Sequence, residues 1–384
     1  LNQGFPISCQ IPLSKKIYEP NEGVAHKFFA NLLPEEGARR RLVLDLKLTD
    51  TDFSLLAALG RECAGALTIL PANEHLEENL AYQPLSEEDL KKIVLRKGMH
   101  ISDISHDSLP RPSLAGAQDK IPIYYSEDQF FLPKGTAPSS HLIKFELADY
   151  KHIPAYECFL SELAKSINIP VAHCELKKCE KLNFLLITRY DRIKVGDQLK
   201  RLHQEDFCQA LGISYANKYE SDGGPTFYAC FELLQNVSSF PLKDIQNLLK
   251  WQIFNFLAGN SDGHAKNLSI VYEKNQIHLA PIYDLVCTRA IRNIDPKLAL
   301  SVGGERDPGK ITLDHWISLA KLCDLRQRYM LSVIEEVATG LKDNFKSVQD
   351  EFESKYGAYE ALQRVKSVVE KQCGKMLKEL SKKT

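Results

Sequence analysis

The sequence predicts an α+β fold of two lobes, with a mixed α/β N-lobe and an all-α C-lobe. Short β-type runs split by turn residues occupy the first half, whereas apolar residues beyond Leu202 recur at intervals of three and four. The 384 residues are 44% hydrophobic, which is enough for two or three packed domains. We expect an N-terminal subdomain over 1–80, the N-lobe over 81–190 and the C-lobe over 191–384.

The N-terminal elements follow from the spacing of apolar residues. Residues 24–60 carry apolar side chains at helical spacing and are predicted to be helical. Three short β-type runs bounded by turn residues are predicted strands: 121–125, 129–132 and 141–145. A helix with Phe159 on its apolar face follows and is expected to end before Pro170. The apolar run 182–190 predicts a strand inside a sheet.

The C-terminal elements are mainly helical. Apolar residues within 245–257 recur with helical spacing, and Gly259 is the expected end of that helix. The runs 268–272 and 276–280 alternate in the β sense around a turn-prone stretch, which predicts a hairpin. The segment 362–380 has one apolar face and is typical of an amphipathic helix.

Composition excludes several classes of protein. The net charge is −1, so bulk charge predicts no direct binding to nucleic acid. No apolar run approaches the roughly 18 residues that span a membrane. No signal peptide is visible, although the chain begins with Leu and its natural start is expected to be missing. The ten Cys lack paired spacing, which fits a reducing cytosol, so we expect a cytoplasmic protein without a metal-binding Cys pair.

The most informative segment is the polar stretch 259–267, in which Asp262 and Asn267 stand five positions apart. The predicted hairpin follows, and Asp284 comes after it. Folding the hairpin would bring Asn267 and Asp284 together, where an amide and a carboxylate oxygen can share Mg²⁺ with ATP phosphates. Asp262 would then orient and deprotonate a hydroxyl, while Lys266 neutralises the transferring phosphoryl charge. The spacing predicts a protein-kinase-like site, with a helix-capping polar loop as the alternative.

Two further segments fit an ATP site. Lys144 stands on a predicted strand among apolar neighbours, where an ammonium needs an anion, and Glu157 on the next helix is a candidate partner. The small-residue stretch 113–120 precedes a strand, and its backbone N–H groups could approach phosphate oxygens. The alternatives are an edge-strand lysine, an exposed helix glutamate and an ordinary Ala-Gly turn.

With these segments the chain resembles the HipA family, the toxin kinases of bacterial toxin–antitoxin modules. The resemblance covers nearly the whole chain, and the matching segments are 29–34, 60–62, 113–120, 141–144, 189–192, 204–209, 218–225, 259–267 and 280–284. It implies a two-lobed, protein-kinase-like fold and a serine/threonine kinase that uses ATP and Mg²⁺.

The resemblance also implies roles for individual residues. Asp262 would be the catalytic Asp, and Asn267 and Asp284 would bind Mg²⁺. Phosphorylation of Ser113 would eject its loop from the ATP pocket and switch the kinase off, since a phosphoserine repels ATP phosphates. The expected ATP contacts are Ala115, Gly116, Ala117, Gln118, Asp119, Lys120, Lys144, the hinge backbone of Thr188, Arg189 and Tyr190, and further His264 and Tyr283.

The resemblance implies two partners. One is a HipB-like helix-turn-helix antitoxin, through which DNA would be contacted only indirectly. The other is an acceptor, an aminoacyl-tRNA synthetase and typically the glutamyl enzyme, whose modification stops translation. The first β-structure of the family's N-terminal subdomain is not recognisable in this chain; truncation, disorder and a separate polypeptide are the open explanations. Thr188 stands where some relatives have an acidic hinge residue, which a hinge acting through its backbone tolerates.

Two other functions compete with the toxin kinase. One is an inactive kinase-fold corepressor acting with a DNA-binding antitoxin, although every acidic or amide ligand position is occupied. The other is a small-molecule or lipid phosphotransferase, which would have no use for the self-acceptor Ser113. The segment 218–225, with its Gly-Gly-Pro turn, is expected to contribute to acceptor binding or activation, or else to be a structural loop between helices.

Overall fold

The computed structural model describes residues 6–15, 17–19, 23–74, 80–104, 116, 118–147 and 149–383. The chain forms two compact units, each built from several chain segments. Unit 1 comprises Leu1–Pro154, His173–Tyr215 and Val271–Asn275, and unit 2 comprises Ala155–Ala172, Ala216–Ile270 and Gln276–Thr384. Most of the strands belong to unit 1, whereas long helices dominate unit 2. The predicted α+β class with two lobes is thus confirmed, while the domain limits at 80 and 190 stay predictions.

The helices and strands of the described residues follow in chain order. The helices are α1 (Val24–Ala30), α2 (Glu36–Asp45), α3 (Asp52–Leu59), α4 (Glu87–Leu95), α5 (Ile153–Ser166), α6 (Phe207–Leu211), α7 (Phe227–Val237), α8 (Pro241–Ala258), α9 (Leu313–Leu322), α10 (Gln327–Tyr356) and α11 (Leu362–Leu380). The strands are β1 (Ala81–Pro84), β2 (Lys120–Ser126), β3 (Gln129–Lys134), β4 (His141–Phe145), β5 (Cys174–Cys179), β6 (Leu182–Thr188), β7 (Arg192–Val195), β8 (Gln198–Arg201), β9 (His203–Asp206), β10 (Ser269–Glu273) and β11 (Gln276–Leu279). The predicted strands and hairpin correspond to β2, β3, β4, β6, β10 and β11.

Unit 1 is organised around a six-stranded sheet with the order β1-β3-β2-β4-β6-β5. Paired strands run antiparallel, and Lys144 of β4 lies opposite Lys120 of β2 and Leu185 of β6. Ile121 and Ile143 are buried with residues of α4 in one apolar core. Since successive residues of a strand point to opposite faces, Lys144 lies on the face away from Ile143. Strand β4 is an interior strand, which excludes the edge-strand alternative for Lys144.

The N-terminal helices pack through two small apolar clusters. Phe28 of α1 belongs to one cluster, and Leu42 of α2 and Leu55 of α3 belong to the other. Pro34 cannot continue a helix, and Thr51 Oγ1 caps α3 by accepting the Ser54 N–H at 3.2 Å. The helices predicted over 24–60 are therefore three short ones, α1, α2 and α3.

Unit 2 is a helical assembly around α8. This helix begins with Pro241, where the missing N–H is not needed, and ends at Gly259 as the sequence predicts. Gly259 has a φ of +75°, and a Cβ there would lie 2.6 Å from Val368 of α11, so this turn requires glycine. The buried ring of Phe256 packs edge-on against Trp316 of α9, with the centroids 5.7 Å apart. Within the described ranges, no helix is long and apolar enough to cross a membrane.

The β10–β11 hairpin continues directly from the segment 259–267. The Ala280 N–H donates to the Ser269 carbonyl at 2.8 Å, which closes the hairpin at its open end. Ile282 is then joined to the segment after α5. Its N–H donates to the Pro170 carbonyl at 2.8 Å, and its carbonyl accepts the Ala172 N–H at 2.8 Å. The backbone that leads to Asp284 is therefore held on both sides.

Candidate active site

The polar segment 259–267 is held in place by the end of α8. Asn260 donates its side-chain amide to Asn255 Oδ1 at 3.0 Å and its backbone N–H to the Asn255 carbonyl at 2.8 Å. Gly263 fits against the same asparagine, because a Cβ at this position would overlap Asn255 Nδ2. The helix thus fixes the backbone that carries Asp262.

Asp262 is exposed, and its backbone is fixed by three hydrogen bonds. Its N–H donates to Asn260 Oδ1 at 3.2 Å, and its carbonyl accepts the His264 N–H at 2.9 Å and Asn267 Nδ2 at 3.1 Å. Its carboxylate Oδ1 accepts the Tyr219 hydroxyl at 2.6 Å. An exposed carboxylate on a fixed backbone, already within hydrogen-bond reach of a hydroxyl, has the geometry of a general base.

The two ends of the hairpin meet through Tyr283. Its hydroxyl donates to the Lys266 carbonyl at 2.9 Å, so the 2.8 Å bond to Ser269 must be donated by the Ser269 hydroxyl. Asn267 lies between these residues and is buried. Its amide nitrogen is used by Asp262, and that bond does not engage its amide oxygen. The structure thus brings residues 266–269 against residue 283, as the hairpin predicts.

Asp284 adopts an unusual backbone conformation. Its φ is +62°, in the left-handed region that non-glycine residues rarely occupy. Asp and Asn tolerate this region better than other side chains, and such strained positions cluster at functional sites. The position is therefore compatible with the predicted metal ligand, whose role stays a prediction.

The residues present fit Mg²⁺ bound together with nucleotide phosphates. Mg²⁺ takes oxygen ligands, keeps several waters and needs one or two protein ligands when phosphates supply the rest. Asp284 and Asn267 offer a carboxylate and an amide oxygen of this kind. No group of three or more His, Cys, Asp or Glu side chains that could hold a metal occurs in the described part of the chain. An amide and a carboxylate oxygen suit a metal whose remaining ligands are phosphate oxygens and water.

Unit 1 places two lysines side by side on its sheet. Lys144 and Lys120 are directly opposite each other on β4 and β2, so their side chains share one face. Lys144 is only 5% exposed. Ammonium groups on one face of a sheet can bind the oxygens of an anion, and a polyphosphate offers several such oxygens. Their pairing could not be read from the sequence, because it depends on the register of two strands.

The predicted phosphate loop is described only in part. Ser113, Ala115 and Ala117 lie outside the described residues. Gly116 has a φ of +120°, and a Cβ there would lie 2.9 Å from Lys120 Nζ, so the lysine packs against this glycine. The remaining loop residues have structural contacts, which are the 2.8 Å bond from Gln118 Nε2 to the Phe145 carbonyl and the 2.8 Å ion pair of Asp119 with Arg41.

The predicted hinge is largely engaged by protein contacts. The Thr188 N–H donates to the His173 carbonyl at 2.8 Å, and the Arg189 N–H donates to the Ser140 carbonyl at 3.0 Å. The Tyr190 hydroxyl donates to the Gln204 side chain. An adenine bound here would therefore not be read by the N–H groups of Thr188 and Arg189.

The Arg189 side chain belongs to a buried ion cluster that the sequence did not predict. Glu62 accepts Arg189 at 3.1 Å, Arg192 at 2.9 Å and Arg201 at 3.1 Å. Asp191 pairs with Arg189 at 2.7 Å. Burial tends to raise the pKa of Asp191, but Arg189 and Arg192 outweigh it and hold this pKa at about 2. The cluster joins Glu62 of the N-terminal region to the residues that follow the predicted hinge.

The partner predicted for Lys144 lies in the other unit. Glu157 is on α5 and is 2% exposed, so the alternative of an exposed helix glutamate does not apply. The pairing of Lys144 with Glu157 stays a prediction. Lys266 and His264, which stand near Asp262 in the sequence, are also buried.

Family comparisons agree with this arrangement. Residues 112–345 match the HipA-like C-terminal domain, and residues 1–70 match the HipA N-terminal domain. The chain belongs to the HipA family. The C-terminal match includes every residue predicted here to bind ATP, bind metal or perform catalysis.

Relatives within the HipA family cover most of the chain. The serine/threonine-protein kinase toxin HipA of Shewanella oneidensis is 31% identical over 325 residues, 80% of this chain and 72% of that protein. The protein Y4mE of Sinorhizobium fredii is 36% identical over 324 residues, 83% of this chain and 76% of that protein. A solved complex of S. oneidensis HipA, HipB and operator DNA contains a chain that matches with a TM-score of 0.84 and 26% identity, over 99% of this chain and 91% of that one. The family and the fold expected from the resemblance are confirmed.

Proposed function

We propose that this member of the HipA family is a serine/threonine protein kinase that transfers the γ-phosphate of ATP to a protein hydroxyl. The observation that carries the proposal is the contact between the two ends of the β10–β11 hairpin. Tyr283 bonds to Lys266 there, and Asn267 bonds to Asp262. Hydrogen bonds therefore connect the segment that carries Asp262 and Asn267 to Tyr283, the residue before Asp284. The relative from S. oneidensis carries the name of a serine/threonine kinase.

Four residues of unit 2 have tasks in this proposal. Asp262 orients the acceptor hydroxyl and takes its proton as the oxygen attacks the γ-phosphorus. Asn267 and Asp284 would hold Mg²⁺, which supplies positive charge to the β- and γ-phosphates when it is bound. Lys266 offsets the negative charge that develops on the transferring group. Nearly all the catalysis would come from positioning and electrostatics, as is usual for phosphoryl transfer.

The lysine pair of unit 1 would bind the phosphates of ATP. Lys144 and Lys120 share one sheet face, and Gly116 allows the backbone to approach Lys120 closely. Ser113, a few residues before, is proposed as an autophosphorylation site. A phosphoserine carries about −1.5 to −2 charge and would compete with ATP for these ammonium groups. Phosphorylation would thus limit the kinase's own activity.

We extend the proposal to partners. The solved S. oneidensis relative is in complex with HipB and operator DNA, which supports a HipB-like antitoxin as a partner of this chain. The net charge of −1 favours DNA contact through the antitoxin rather than directly. We propose an aminoacyl-tRNA synthetase, of the glutamyl type, as the acceptor. The toxin function then consists in stopping translation.

The test is the transfer of radioactive phosphate from ATP in the presence of Mg²⁺. The purified chain is first dephosphorylated, then incubated with ATP alone and with purified glutamyl-tRNA synthetase, and phosphosites are mapped by mass spectrometry. We expect phosphate on Ser113 and on the synthetase. Replacing the base, Asp262→Asn, should lower both rates at least a hundredfold, since general base catalysis contributes about 10²–10⁴-fold.

A matched control keeps the same chemical change away from the site. Asp324 is exposed at the end of α9 with a φ of +51°, a conformation that Asn also tolerates. Asp324→Asn should therefore leave both rates unchanged. An intact, ATP-binding chain that labels neither itself nor the synthetase would refute the kinase function and favour a corepressor. If Ser113 is labelled and the added synthetase is not, only the proposal that the synthetase is the acceptor is refuted.

A further inference from the structure

The Tyr219 hydroxyl makes a short polar contact with the Asp262 carboxylate. It donates to Oδ1 at 2.6 Å, the length of a strong hydrogen bond from a hydroxyl to an ionised carboxylate. A carboxylate has two oxygens, so this bond leaves Oδ2 as the atom available to an acceptor hydroxyl. The tyrosine therefore selects which oxygen can act as the base and in which rotamer the carboxylate is held.

Tyr219 is itself held firmly. Its ring lies edge-on against His264 with the centroids 5.1 Å apart, and Lys218 Nζ is 5.5 Å from the ring centroid. Its carbonyl accepts the N–H groups of Asp222 at 3.1 Å and Gly224 at 3.0 Å. Contacts from the ring face, the ring edge and the backbone thus fix the direction of the hydroxyl.

The tyrosine and the base are also attached to one common stretch of chain. Next to Tyr219, Glu220 accepts the Ser301 N–H at 2.5 Å and the Ser301 hydroxyl at 2.7 Å. Next to the base, the Ser261 carbonyl accepts the Ala299 N–H at 2.9 Å. Two separate loops are therefore tied to residues 299–301, which keeps the distance between hydroxyl and carboxylate constant.

We infer that Tyr219 is a positioning residue for phosphoryl transfer, whose hydroxyl holds the Asp262 carboxylate so that Oδ2 meets the acceptor hydroxyl. The inference rests on the proposed kinase function. A tyrosine anchored on a tied turn is a fixed support, whereas a stand-in for the acceptor would have to move away at each turnover. Since Asn260, His264 and Asn267 hold the backbone of Asp262, loss of the tyrosine hydroxyl frees the carboxylate without moving the loop.

The experiment compares Tyr219→Phe with the wild-type full-length chain. Both proteins are dephosphorylated, and incorporation of radioactive phosphate is followed at a series of ATP concentrations with Mg²⁺. We expect the rate at saturating ATP to fall about tenfold, because a poorly oriented carboxylate loses part of the rate gain from general base catalysis. The half-saturating ATP concentration should stay unchanged. Tyr228→Phe, which removes a hydroxyl from the exposed end of a tyrosine on α7, is the matched control and should keep the wild-type rate.

A double-mutant cycle distinguishes positioning from general damage to the fold. If Tyr219 acts through the base, Tyr219→Phe should cause little further loss in the Asp262→Asn background. An equal tenfold loss in both backgrounds would overturn the inference. A wild-type or faster rate for Tyr219→Phe would overturn it too, the faster rate marking the hydroxyl as a block. Phosphate found on Tyr219 itself would also overturn it. A wild-type chain without any transfer instead refutes the kinase function.

Discussion

The buried ion cluster of unit 1 allows a sharp prediction about stability. Glu62 is 2% exposed at its side chain and accepts three arginines and the Ser139 hydroxyl. Glu62→Gln keeps the shape of the side chain but removes its charge. Asp191 is then the remaining carboxylate partner of Arg189 and Arg192, and Arg201 loses its ion pair with Glu62. Breaking a buried ion pair from one side costs about 3–5 kcal/mol. We expect a loss of about 3 kcal/mol in the free energy of unfolding of unit 1.

The two tryptophans make the location of this loss measurable. Trp251 and Trp316 both lie in unit 2, so tryptophan fluorescence follows the unfolding of that unit, whereas far-UV circular dichroism follows both. In urea, Glu62→Gln should move the dichroism transition to lower denaturant and leave the fluorescence transition nearly in place.

The control for Glu62 is a carboxylate that pairs at the surface. Glu74 pairs with Arg61, but its side chain is 35% exposed, and exposed pairs contribute only about 0–1 kcal/mol. Glu74→Gln should therefore shift the dichroism midpoint little. Equal shifts for the two variants would refute the claim that the cluster stabilises unit 1 through burial, and a larger shift in fluorescence than in dichroism would refute its assignment to unit 1.

Three further predictions concern charge and space. The pKa of Asp191 in the folded chain is about 2, below its ordinary 3.8, so its ionised form stabilises the fold by ~2 kcal/mol above pH 4. This contribution is lost as the pH falls from 4 to 2. In Asp191→Asn, the free energy of unfolding should therefore depend less on pH in that range. Lys144→Met should weaken ATP binding at least tenfold by calorimetry, because the ammonium would face the phosphates in the proposed site. Lys178→Met, which replaces an exposed lysine of β5, should not weaken it. Gly263→Ala should lower the free energy of unfolding by about 1–3 kcal/mol and slow phosphate transfer, because the new Cβ would lie 3.0 Å from Asn255 Cγ. A fully active variant of unchanged stability would contradict this.

The parts of the site that were predictable depend on local sequence. The hairpin connects 267 to 283 through two short strands and a turn, so alternation and turn chemistry are enough to bring its ends together. The end of α8 at Gly259 was also local, because one glycine in the left-handed conformation decides it. The sequence therefore predicts the neighbourhood of Asp262, Asn267 and Asp284 without any long-range information.

The parts that were missed depend on contacts between distant segments. Glu62 meets Arg189 and Arg201 across more than a hundred residues of chain, and neither charge pattern nor spacing reports such a contact. The register that places Lys120 opposite Lys144 follows from the turns between β2 and β4, where a shift of one residue would turn one lysine to the other face. The sequence shows two arginines and an aspartate within 189–192, but it does not show that their side chains are buried.

The contact between Tyr219 and Asp262 shows why this part of the candidate site is the hardest to predict. The two residues are 43 positions apart, and they meet because Glu220 and Ser261 are tied to the same stretch, 299–301. The tie at Ser261 joins backbone groups, which any residue type supplies, and the tie at Glu220 joins its carboxylate to a serine 81 positions away, so local spacing indicates neither of them. The predicted general base can be recognised from its spacing to the predicted metal ligands, whereas the residue proposed to orient it can be recognised only in the folded chain.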